Sequence, residues 1–166
     1  MVSSPTAATG AADNLGIQKI RAEQIVKGGA SWFLWIAALS IVNSIIGMAG
    51  AGVHFIVGLG ITQVVDAIAH RAGSPGVVLD LIINGFVAAI FVLFWNFAKK
   101  GQSWAFIIGM VLYGLDALLL LTFKDVFSVA FHAYALFRIY HGMRAAPTLE
   151  KLQQSMIFPA APIVPK

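Results

Sequence analysis

From residue 31 onward the chain alternates long apolar runs with short polar breaks. Five apolar segments stand out, at about 31–49, 53–69, 77–98, 103–123 and 126–144. Helical residues rise about 1.5 Å each, so a hydrocarbon layer about 30 Å thick requires about 20 of them. Four segments reach that length. The second, VHFIVGLGITQVVDAIA, has only the 17 residues 53–69 and carries two glycines and several polar groups.

The pattern before residue 31 is different. Residues 1–14, MVSSPTAATGAADN, are small and polar without periodicity and predict a disordered N-terminal tail. Over 15–28, Ile17, Ile20 and Val26 alternate with Lys19, Arg21, Glu23 and Lys27, which predicts an interfacial amphipathic helix broken at Gly28 and Gly29. A single transmembrane domain follows over 29–144. The remainder, 145–166, reads as a cytoplasmic C-terminal tail, with Thr148 able to cap a short helical piece and prolines at 159, 162 and 165.

Basic residues decide how the short second segment is read. If all five segments cross with the N-terminus inside, Lys19, Arg21, Lys27, Arg71 and Lys124 lie inside and Lys99, Lys100, Arg144 and Lys151 outside. That is almost no bias. If segment 53–69 enters and leaves on the outer side, Lys19, Arg21, Lys27, Lys99, Lys100, Arg144 and Lys151 fall inside and only Arg71 and Lys124 outside. The second division follows the positive-inside rule. The predicted fold is all-α: a polytopic membrane helical bundle with four transmembrane helices (about 31–49, 77–98, 103–123, 126–144) and one short re-entrant or outer-surface amphipathic helix (53–69). A five-span arrangement is the alternative. Both termini are then cytoplasmic, in a multi-pass protein of a bacterial inner (plasma) membrane, and Trp32, Trp35, Trp95 and Trp104 fall near the cytoplasmic interface.

Composition strengthens this picture. Hydrophobic residues make up 59% and charged residues 11%, against about 45–50% and about 25% in a typical soluble domain. A net charge of +4 alone would suggest nucleic acid or acidic lipid, but the basic residues sit beside apolar runs, where membrane topology accounts for them. No cysteine is present, which removes disulfides and thiol chemistry.

Against so apolar a background, a few polar residues stand out. The fourth and fifth segments meet at Lys124 and Asp125, so depth can be counted from that turn. Asp116 precedes Lys124 by eight residues and His132 follows Asp125 by seven. Counted across the turn from Lys99 to Gln102, Asn84 lies level with Asp116. Asn84, Asp116 and His132 therefore form an expected buried polar layer in which Asp116 bonds to His132, to Asn84, or to both, since a lone aspartate there would be costly. In the short segment, Thr62, Asp66 and His70 recur every four residues with Gln63 beside them, a polar stripe opposite an apolar face. Asp80, Arg71 and Arg138 are expected at the interfaces, the last with its stem along the apolar surface. Gly85 with Ala89 and Ser40 with Ser44 suit close helix contact.

Reactive chemistry finds little support. A haem held by His54 and His132, or a hydrolase using Ser128 one turn from His132, would each rest on that spacing alone. No phosphate-binding loop or histidine pair accompanies them, so neither cofactor nor metal is expected. The expected role is a non-enzymatic accessory or structural subunit of a larger membrane assembly, or a self-associating bundle. Its expected partners are membrane lipid and a membrane protein or a second copy, with no nucleic acid. The alternative is a small proton- or cation-coupled transporter or channel subunit working through Asp116 and His132.

Overall fold

The computed structural model of the protein describes residues 5–48, 59–61, 64–65 and 74–157. Four long helices carry the fold: α1 (Pro5–Met48), α2 (Ser74–Ala98), α3 (Ser103–Thr122) and α4 (Val126–Ile157). Residues 60, 61, 64 and 65 are also helical. By length and composition, stretches of three helices suffice to cross a membrane: Asp13–Ile46 of α1, Leu81–Ala98 of α2 and Ser103–Thr122 of α3.

The helices form a ring in which α1 packs on α2 and α4, and α3 on α4 and α2. On α4 the buried positions are Ser128, His132, Ala135, Ile139, Gly142, Ala146 and Leu149. On α3 they include Phe106, Gly109, Tyr113, Asp116 and Leu120. Steps of three and four alternate along both helices. That is the 3.5-residue repeat by which helices lying nearly side by side keep one seam in contact.

The seam of α1 runs through Ala22, Val26, Ala30, Phe33, Ile36, Ala37, Ser40, Asn43 and Ser44, mostly small residues that let backbones approach. Phe33 is the exception, a fully buried ring among Phe91 and Phe94 of α2 and Phe106 of α3. Gly109 makes room for it, because a Cβ there would lie 2.5 Å from the Phe33 ring. Outward positions are apolar as well: Leu81, Ile82 and Phe86 on α2, Ile107, Val111, Leu115 and Leu118 on α3.

At both ends of the chain the helices run past the expected boundaries. The helix does not break at Gly28–Gly29; α1 is continuous from Pro5, inside the expected disordered tail, to Met48. The reason lies in packing, since Gly29 lies against Gly142 of α4. A Cβ on Gly29 would stand 2.5 Å from the Gly142 Cα, and one on Gly142 would stand 2.7 Å from the Gly29 Cα. Within 15–28 the buried side chains are Ala22 and Val26, whereas Ile17 and Ile20 are exposed. At the other terminus, α4 passes Arg144 and Pro147 to reach Ile157. Ala146 and Leu149 keep the seam buried there, with Leu149 beside Gly101 in the α2–α3 turn.

The two hairpin turns share one geometry. At the end of α2, the Gln102 N–H bonds to the Phe97 carbonyl and the Gly101 N–H to the Ala98 carbonyl, with Gly101 left-handed at φ 84°. At the end of α3, the Asp125 N–H bonds to Leu120 and the Lys124 N–H to Leu121, with Lys124 left-handed at φ 57°. Both are Schellman closures, one with the glycine such a position favours and one with lysine in its place.

Candidate functional site

The site grows from the tight turn between α3 and α4. Asp125 caps α4 by accepting the Ser128 N–H at 3.1 Å and the Ser128 hydroxyl. With the hairpin so fixed, Asp116 of α3 and His132 of α4 face one another, His132 Nε2 lying 2.9 Å from Asp116 Oδ2. The His132 side chain is fully buried and that of Asp116 is 5% exposed.

Asp116 has two further partners, and they are backbone groups. The Gly60 N–H donates to Oδ2 at 2.7 Å and the Ile61 N–H donates to Oδ1 at 2.9 Å. Helical structure begins at Gly60, so these are first-turn amides, which a helix leaves without internal acceptors. A carboxylate there also complements the positive end of the peptide dipoles. The chain comes so close because residue 60 has no side chain: a Cβ would lie 2.8 Å from Leu120 Cγ and 3.4 Å from the Asp116 carbonyl oxygen. Leu59 is buried beside it.

The other imidazole nitrogen, Nδ1, lies 2.8 Å from the Ser128 carbonyl. A carbonyl only accepts, so Nδ1 carries a hydrogen. A second hydrogen must lie between Nε2 and the carboxyl oxygen, on one or the other. Imidazolium with carboxylate and imidazole with carboxylic acid have the same proton count. In either form the pair adds no net charge to the interior, where an uncompensated one would be costly. Tyr113, one turn before Asp116, stacks on the imidazole with ring centroids 4.2 Å apart and planes 14° from parallel, which fixes the ring's orientation.

Asn84 takes part in a different tie. Its Nδ2–H donates to Ser44 Oγ at 2.8 Å, the Ser44 hydroxyl donates to the Ser40 carbonyl and the Ser40 hydroxyl to the Ile36 carbonyl. The expected layer thus contains an Asp116–His132 pair joining α3 to α4 and an Asn84–Ser44 bond joining α2 to α1. Thr62, Gln63, Asp66, His70 and Arg71 lie outside the described residues, as does His54. Asp80 falls within α2, and its side chain is outside the description too. Arg138 is exposed on α4, where it lines a groove with Arg21 and His141.

Several participants escape sequence reasoning. The Gly60 and Ile61 amides have no side-chain signature. Tyr113 could have been found from its three-residue spacing to Asp116, and Ser44 from its pairing with Ser40. Compared with protein-family models, with curated proteins and with solved structures, the chain finds no match.

Proposed function

We propose that the chain is a non-enzymatic integral membrane protein, an accessory or structural subunit of a larger assembly or a self-associating bundle, in which Asp116 is a structural tie. One observation carries this reading: both carboxylate oxygens are occupied within the chain, by two backbone amides and an imidazole. A carboxylate used in this way holds a segment in place. Backbone at membrane depth is tolerated only where protein satisfies its polar groups, and Asp116 lies six residues, about 9 Å, before the end of α3. Residues 59–61 then fit a re-entrant segment, one of the two forms expected for 53–69, and the carboxylate does what water would do elsewhere.

The hairpin supports four crossings. If α3 crosses, the turn at 123–125 sends α4 back along it, and two of α4's polar residues, Ser128 and His132, are buried, whereas Tyr134, Arg138, Tyr140 and His141 are exposed. Charge supports the orientation. The end holding the α2–α3 turn carries Lys19, Arg21, Lys27, Lys99, Lys100, Arg138, Arg144 and Lys151, while among the described residues the opposite end has only Lys124. That bias supports a reading with both termini on the cytoplasmic side of a plasma membrane. The bare apolar rows on α2 and α3 suit lipid or a partner's helices.

A second reading, proton or cation transport, draws on the hydrogen shared between Asp116 and His132. Reconstitution separates the two. If the tie is structural, Asp116→Asn lowers thermal stability while proton flux into vesicles equals that of the unaltered protein. Flux that is present in the unaltered protein and abolished in the variant would replace the structural reading with transport. Purification in mild detergent tests the subunit role: a stable companion or a defined oligomer is expected, and a chain that runs only as a free monomer contradicts it.

A further inference from the structure

Where α1 and α4 cross at Gly29 and Gly142, a groove of about 430 Å³ opens, lined by Arg21, Gln24, Ile25, Gly28, Arg138 and His141. That volume suits a small-molecule group. We propose that this groove binds the phosphate of an anionic phospholipid, an inference that rests on the membrane reading above.

Three features of the groove point the same way. Its charge is of one sign: no ion pair to Arg21, Arg138 or His141 occurs among the described residues, while nearby Glu23 is engaged by Lys19 and Lys27. Arg21 and Arg138 line it from different helices, and a guanidinium fork matches phosphate geometry. Its depth is that of a headgroup. A Cβ on Gly142 would meet Phe106, so the crossing is level with the first turn of α3, where Trp104 opens the apolar run. Arg21 lies two turns of α1 toward the basic end and Arg138 one turn of α4 toward the apolar middle, so the two long side chains flank the crossing and can reach one ligand from either side.

The groove also continues into an apolar track. On α4, Arg138 and His141 share a face with Phe131 and Tyr134, and on α1 Gly28 shares one with Trp32. Trp32 packs on Tyr134 and Phe131 with ring centroids 5.3 and 6.1 Å apart. A charged mouth leading to an aromatic wall fits a ligand with a phosphate at one end and acyl chains at the other. A free anion would use only the mouth.

Gly28 supplies a test that leaves charge untouched. A Cβ there meets nothing within 4 Å, so a side chain can occupy the groove without disturbing the helix crossing. The detergent-purified full chain is titrated with phosphatidylglycerol, and bound lipid is counted by native mass spectrometry, with phosphatidylcholine and inorganic phosphate as the other probes. One saturable phosphatidylglycerol is expected, with phosphatidylcholine weaker and millimolar inorganic phosphate failing to displace it. Arg21→Gln with Arg138→Gln is expected to weaken binding roughly 25-fold, from about one fivefold step per arginine. Gly28→Leu is expected to remove the saturable lipid while its unfolding temperature stays at or above that of the unaltered protein. Unchanged binding in Gly28→Leu overturns the site. Equal weakening by Lys99→Gln with Lys100→Gln, which lie outside the groove, would show diffuse attraction, and displacement by inorganic phosphate would show an anion site without lipid; either overturns the proposal. None of these results bears on which side the termini lie, so failure here leaves the membrane reading standing.

Discussion

At the scale of single residues, the chain's unusual feature is how completely Asp116 is used. Removing the carboxylate leaves two amides and an imidazole without their acceptor in a place water does not reach. Asp116→Ala is expected to cost about 3–5 kcal/mol, the range for breaking a buried charged pair. Asp116→Asn keeps the shape and one acceptor oxygen, and its expected cost is about 1–3 kcal/mol. Equilibrium unfolding in detergent measures both, and an alanine variant as stable as the parent would show that the three bonds contribute nothing. The closeness of Asp116 and His132 is legible in the sequence because a short turn lets depth be counted along both helices. The partnership of Asn84 with Ser44 is not. Residues 49–73 separate α1 from α2, so no count relates their depths, and Asn84 could only be matched to the hairpin it adjoins.

At the scale of elements, the helices and their order follow from the apolar runs, but where helices touch does not. Glycine marks a break when only the local backbone is considered, and Gly28–Gly29 accordingly looks like one. In the bundle, Gly29 is instead a contact, and the packing it permits offsets its poor helix propensity. The two neighbouring glycines should therefore respond oppositely to substitution. Gly29→Ala and Gly142→Ala are each expected to destabilise by about 1–3 kcal/mol through backbone overlap, while Gly28→Ala is expected to gain up to about 1 kcal/mol from helix propensity alone. Equal effects at 28 and 29 would mean that α1 and α4 do not meet there. The turns make a matched pair of the same kind. Gly101→Ala places a side chain at φ 84° and should cost about 1–2 kcal/mol, and Lys124→Gly should recover about 1 kcal/mol by relieving the left-handed lysine. Thermal shifts of the same sign in both variants would contradict the two Schellman closures.

At the scale of the whole molecule, α1 spans about 66 Å and α4 about 48 Å, both longer than a hydrocarbon layer about 30 Å thick. Their excess lies at one end, where Ala22, Val26, Ala146 and Leu149 extend the buried seam and basic residues gather. That extension was hidden from sequence reasoning because polar and charged residues flank its four seam positions, so no continuous apolar run marks it. The polar site belongs to the opposite end, inside helices whose outer faces are apolar. The central claim is that this bundle crosses the membrane four times with Asp116 turned inward. The chain lacks cysteine, so single cysteines can be introduced without background at Gln18, Lys100, Lys124 and Gln153 and treated with a membrane-impermeant thiol reagent in sealed, oriented vesicles. The expected result is that positions 18, 100 and 153 react from one side and position 124 only from the other. Reaction of 100 and 124 from the same side, or of 18 and 153 from opposite sides, would contradict it.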